Sequence, residues 1–119
     1  MKLLNFVFYI KTFENGDTLP LIKSEPPFDE LSDLSNGFVG TIDGAIKIID
    51  NIEKVISEEK DSYIFGGSDF VILGVGKDTT TITSFFDEEE KVNDIPTEEI
   101  LSLMKDWLNY LIDFKNKKQ

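Results

Sequence analysis

The spacing of apolar positions changes along the chain, and each change marks an element. Residues 3–10, Leu3-Leu4-Asn5-Phe6-Val7-Phe8-Tyr9-Ile10, alternate imperfectly and are rich in aromatic and β-branched side chains. That pattern predicts a mostly buried strand. Asn15-Gly16-Asp17 supplies a turn, and Thr18-Leu19-Pro20-Leu21-Ile22 reads as a short return strand. Pro20 cannot donate to a ladder, which keeps this strand short or at an edge. Glu25-Pro26-Pro27-Phe28 breaks the pattern, and Asp29–Ser35 has room for one or two helical turns.

From Thr41 the period becomes helical. Ala45, Ile48, Ile49, Ile52 and Ile56 recur at helical spacing, with Ile46 and Val55 widening the stripe. Thr41 or Asp43 can cap this helix, because a side-chain oxygen there satisfies a free N–H of the first turn. Its end is expected near Glu58-Glu59-Lys60. The period then shortens. Tyr63-Ile64-Phe65, the apolar run Phe70–Val75, and Thr79–Phe86 predict strands, the last two joined by Gly76-Lys77-Asp78 into an antiparallel hairpin. Gly74 inside the run suggests a bulge or a close approach by another element. Asp87-Glu88-Glu89-Glu90 reads as an exposed acidic loop. A last helix opens at Ile95-Pro96-Thr97-Glu98-Glu99, with Thr97 as the expected N-cap and two glutamates at the positive end of the dipole. Ile100, Leu103, Met104, Trp107, Leu108 and Leu111 form its apolar face, which makes Trp107 a core residue; otherwise it would serve with Tyr110 as an interface anchor.

These elements predict a single α+β domain over residues 1–119. An antiparallel sheet, made of the N-terminal strand and the central hairpin, packs against a middle helix and a long C-terminal helix. Composition supports a core without staples: 40% of the residues are hydrophobic and ten are Phe. There is no Cys, hence no disulfide framework and no thiolate metal site, which fits a reducing, cytoplasmic setting. Lys2 followed by an apolar stretch resembles the opening of a signal peptide. That stretch carries Asn5, closes at Lys11 and lacks a small-residue cleavage site, so a strand is the better reading. No apolar run approaches the ~20 residues of a membrane span, and no membrane role is expected.

Charge changes the picture most. Twelve basic residues, all Lys, oppose twenty-three Asp and Glu, for a net −11. Such a field repels nucleic acid and anionic membranes, and it steers basic partners inward. The residue types present also narrow the chemistry. Without His or Cys, nucleophile dyads built on them are excluded, as are metals they would ligate. Without Arg the bidentate phosphate clamp is missing. Gly74-Val75-Gly76-Lys77-Asp78 is no phosphate loop, because strands rather than a helix follow it. The acidic runs lack the alternating Asp spacing of a calcium loop. No cofactor, metal or catalytic residue is therefore expected, and the sequence points to a binding protein rather than an enzyme. Carboxylate pairs that meet only in space leave a hydrolase open as a third reading.

Phe65-Gly66-Gly67-Ser68-Asp69-Phe70-Val71-Ile72-Leu73-Gly74, followed by Ile95-Pro96-Thr97-Glu98-Glu99-Ile100 leading a helix that carries Trp107, resembles immunity proteins of bacterial contact-dependent growth inhibition and related polymorphic toxin systems. The resemblance is one of layout and covers residues 63–114. It implies a small cytoplasmic protein that binds one cognate toxin domain, often a basic nuclease, and blocks its active site or substrate path. The candidate interface comes from charge alone: Asp87, Glu88, Glu89, Glu90 and Asp94, with Glu58, Glu59 and Asp61 as a second group. Alternatives are an acidic adaptor for another protein, or a decoy that imitates DNA.

Overall fold

A computed structural model describes residues 4–26, 28–35, 37–68, 71–86 and 89–117. Strands β1 (Phe6–Thr12) and β2 (Thr18–Ser24) form a hairpin in continuous register from Phe6↔Ser24 to Thr12↔Thr18. Gly16, at φ +89°, makes the left-handed turn residue that an L side chain would resist. Two 3-10 segments, Asp29–Ser35 and Gly37–Gly40, lead into helix α1 (Ile42–Ile56). A four-stranded antiparallel meander follows: β3 (Tyr63–Ser68), β4 (Val71–Val75), β5 (Thr79–Phe86) and β6 (Glu89–Pro96). Helix α2 (Thr97–Lys117) closes the order.

The α+β class and the two helices are as the periodicity predicts. The strands, however, divide between two sheets. The N-terminal strand pairs only with β2, and the central hairpin belongs to a separate sheet of order β3-β4-β5-β6. One cluster of buried side chains joins the two parts. It runs from Leu4 and Ile22 through Leu31, Leu34 and Val39, across Ile48 and Ile52 of α1 and Leu73, Ile82 and Ile95 of the sheet, to Leu103 and Trp107 of α2. Burial of that apolar surface supplies most of the drive to fold.

Trp107 is central to this cluster and fully buried. Its ring lies 5.3 Å from Phe8 of the hairpin, and its Nε1–H donates to the Val39 carbonyl at 2.8 Å. It is therefore a core residue whose indole N–H is satisfied by a backbone carbonyl. The hairpin has a second tie at its base, where the Leu4 N–H donates to Glu99 Oε1 at 2.9 Å.

Helix ends differ from the sequence expectation in instructive ways. Thr41 is the cap of α1, its Oγ1 accepting from the Gly44 N–H at 3.0 Å. The helix stops at Ile56, two residues before the acids expected to end it, because Glu58 turns left-handed at φ 69°. The Glu58 N–H then reaches the Val55 carbonyl at 3.2 Å and the Glu59 N–H the Lys54 carbonyl at 2.9 Å. Those paired bonds satisfy the last free carbonyls of the helix, a role usually given to Gly at the left-handed position. Thr97 is not a free cap. Its hydroxyl donates to the Gly76 carbonyl at 2.6 Å and shares a 2.9 Å hydrogen bond with Thr80 Oγ1, which pins the start of α2 to the β4–β5 turn.

Two further expectations are corrected. The bulge expected at Gly74 lies one strand earlier, between Phe65 and Ser68, where the β3–β4 register shifts. Gly66 is the residue that needs to lack a side chain there, since a Cβ would collide with the Val71 carbonyl. Nor are residues 89 and 90 a loop. They open β6, which pairs with β5 without a register break from Phe86↔Glu89 to Thr79↔Pro96.

Candidate functional site

The four-stranded sheet has two unlike faces. Val71, Leu73, Val75, Thr80, Ile82, Ser84 and Ile95 point inward and are buried. The alternate residues point outward, and no described helix or strand covers them. Cross-strand register arranges this outer face in rows. Ile64, Gly74, Thr81 and Asp94 share one row, and Ile72, Thr83 and Val92 the next. Phe85 stands opposite Glu90 in a third. Ile64 is 69% exposed and Val92 54% exposed, and Ile72 and Phe85 are also open to solvent. An apolar strip thus crosses the sheet with a carboxylate at either end of β6. A contiguous exposed strip of this kind on a small domain marks a contact surface more often than a scatter of single residues would.

Strand pairing also decides where the candidate acids fall. Asp94 lies beside the β4–β5 turn, and its Oδ1 accepts from Thr81 Oγ1 at 2.8 Å. At that same end Lys77 of the turn bonds Glu58 Oε1 at 2.9 Å, which brings the end of α1 to the sheet. Glu59 accepts from Ser57 Oγ at 3.2 Å, and Asp61 is exposed just before β3. A part-buried polar knot holds this segment in place: Lys60 Nζ donates to Asn51 Oδ1 at 2.5 Å and sits 5.5 Å from the Tyr63 ring. Glu90 is at the opposite end of the sheet. Four residue steps along the strand separate it from Asp94, roughly 13 Å at the usual rise. The eight acids therefore do not form one patch. Asp94 lies at the same end of the sheet as Glu58, Glu59 and Asp61, but on the opposite edge strand from β3, and Glu90 follows Glu89 at the other end. Asp87 and Glu88 lie outside the described residues.

Sequence reasoning missed the apolar half of this surface. Ile64, Ile72, Phe85 and Val92 read as core when the strands are taken one by one. Only the alternation across four paired strands exposes them, and β6 was not foreseen as a strand. Glu90-Lys91-Val92-Asn93-Asp94-Ile95 carries no period-2 signal by itself, because Val92 and Ile95, three residues apart, fall on opposite faces.

Among the described residues, two groups have displaced titrations, and both move away from neutrality. The Asp50 carboxylate, by hydrogen bond and charge, raises the Lys54 ammonium, and burial raises the Tyr63 phenol against the opposing hydrogen bond from Asn51. Neither group can exchange a proton readily near pH 7. Among the described residues, no cluster of three Asp or Glu is placed to hold a metal ion, and no helix is long and apolar enough to cross a membrane. A surface hollow of about 400 Å³ beside the start of α2 is lined by Ile56, Lys77, Asp78, Pro96 and Glu98. Comparison with protein-family models, curated proteins and solved structures returns no match to the chain.

Proposed function

We propose that this protein is an immunity-type inhibitor, which binds a basic toxin domain and covers its active site or substrate path. The observation that carries the reading is the uncovered outer face of the β3–β6 sheet, where Ile72, Phe85 and Val92 are exposed between Glu90 and Asp94. Apolar side chains of this kind supply the holding energy of an interface, while exposed acids at its rim speed the approach of a basic partner. The net charge of −11 and the layout of residues 63–114 support the same reading. Imitation of DNA is less well supported. A duplex carries a charge about every 1.7 Å of its axis, whereas Glu90 and Asp94 are separated by Val92 on this face.

The test is capture of the tagged protein from its native host at low and moderate salt, followed by reconstitution with the polypeptide retained. A stoichiometric basic polypeptide is expected, one that arrests growth when expressed alone and ceases to do so when this chain is present. With that partner in hand, Glu90→Gln and Asp94→Asn together should slow association roughly 10-fold at low salt and flatten its salt dependence, with little change in dissociation. A retained partner without toxicity, or an unchanged salt dependence, counts against the proposal. If nothing is retained, a metal and substrate screen directed at the Asp78–Glu98 hollow becomes the next experiment.

A further inference from the structure

The two edges of the four-stranded sheet are not alike. Strand β3, at one edge, is interrupted by the register shift between Phe65 and Ser68, and both 3-10 segments pack against it. Bulges and covering segments are the usual means by which a sheet blocks further pairing. Strand β6, at the other edge, pairs with β5 along its whole length, and no described strand pairs with its outer side. Its backbone thus presents a regular edge over residues 89–95, which Pro96, lacking an N–H, brings to an end.

Side chains on that edge follow a simple order. Glu90, Val92 and Asp94 share the outer face and are all exposed: acid, apolar, acid at two-residue spacing. The charges select among possible occupants. Two copies of β6 paired antiparallel about Val92 would set Glu90 of each directly against Asp94 of the other, and like charges in opposed positions are destabilising. A strand with Lys or Arg at the positions facing Glu90 and Asp94 meets two favourable pairs instead.

We infer that β6 is a strand-addition site. It accepts an extended segment of a partner protein with the pattern basic-x-apolar-x-basic, paired edge to edge with residues 89–95. Main-chain hydrogen bonds would provide affinity, and the two cross-strand charge pairs would fix register and exclude self-pairing. This rests on the reading of the protein as a binder of a basic partner and specifies which part of that partner is held.

The probe is the peptide Thr-Lys-Thr-Val-Thr-Lys-Thr, titrated into the isotope-labelled full chain and followed by amide chemical shifts and hydrogen exchange. Its comparison is Thr-Lys-Thr-Val-Lys-Thr-Thr, of identical composition but with one Lys moved to the opposite face. The first peptide should bind roughly two- to five-fold more tightly than the second, the discrimination expected of one cross-strand charge pair. It should also slow exchange within residues 89–95 and show peptide contacts along β6. The folded double variant Glu90→Lys/Asp94→Lys should reverse the preference, favouring Thr-Glu-Thr-Val-Thr-Glu-Thr. Equal binding of both lysine peptides, protection located elsewhere, or no binding would overturn strand addition. A captured toxin complex in which the β6 amides gain no protection would overturn it while leaving the immunity reading intact. Register-dependent peptide binding without a toxic partner would do the reverse.

Discussion

The β1–β2 hairpin and the β3–β6 sheet are built from the same kind of strand and are held in very different ways. The sheet buries most of the described side chains of one face in the core, and each of its inner strands has a neighbour on both sides. The hairpin is two strands only, a size that has little independent stability in water. Its inner face reaches the body through Phe6, Phe8 and Ile22, and beyond Phe8 it runs past the core. Val7, Tyr9, Ile10, Phe13 and Leu19 are all exposed on it. The charges differ too. Lys11 and Lys23 accompany the apolar residues on the hairpin's outer face, in register with Leu19 and Val7, whereas Glu90 and Asp94 accompany those on the sheet. A small acidic domain can therefore show two exposed apolar surfaces of opposite local sign. The one on the sheet is backed directly by the core, and the one on the hairpin is held by the packing of β2 on the first 3-10 segment and by a few aromatic contacts.

Removing the shared anchor should abolish the distinction by damaging both. Trp107→Ala is expected to cost about 3–5 kcal/mol, since it empties the centre of the core and removes the hydrogen bond to the Val39 carbonyl. A single cooperative loss of stability, with the sheet and hairpin amides affected together, would confirm that Trp107 is core for the whole molecule. A folded variant of unchanged stability would contradict it.

A smaller change should separate the two regions. Phe8 sits on the hairpin, 5.3 Å from Trp107 and 5.2 Å from Tyr110, and is only half-buried. Phe8→Ala should cost about 2 kcal/mol, below the usual range for a fully buried Phe. Its mark should be local. Amides of residues 6–24 should exchange faster by more than those of β4 and β5, as expected when a weakly held unit opens apart from the rest. Uniform acceleration would show that hairpin and sheet open as one.

The same contrast explains what the sequence reveals. Both helices are legible because a 3.6-residue stripe needs no knowledge of neighbours: Ile48, Ile52 and Val55, or Ile100, Leu103 and Trp107, declare their own inner face. Strand β6 is not legible in that way. Glu89-Glu90-Lys91 resembles solvated loop, and only pairing with the Thr-rich β5 makes it a strand. Thr97 is a good cap by type, yet Gly76 and Thr80 compete for its hydroxyl, and those partners lie 21 and 17 residues away. Glu58, Glu59, Asp61, Glu90 and Asp94 are exposed. Their division between two ends of the sheet depends on register, which no single segment encodes.

The smallest expected effect has the opposite sign and sharpens the comparison from the sheet side. Glu58 adopts a left-handed backbone that costs a non-glycine residue roughly 1–2 kcal/mol, and it does so to end α1. The same residue makes an exposed ion pair with Lys77, whose side chain is 52% accessible, and such pairs contribute about 0–1 kcal/mol. Glu58→Gly relieves the strain and gives up the pair, while the added freedom of Gly in the unfolded chain takes back part of the gain. The net should be a stabilisation of about 0.5 kcal/mol, read as a higher denaturant midpoint at unchanged slope. Because the site lies where α1 meets the β4–β5 turn, exchange should slow there and leave the hairpin tip, residues 13–17, as it was. A lower midpoint would instead mean that the Lys77 pair outweighs the backbone strain, and that Glu58 is held left-handed by the charge it contributes to this end of the sheet.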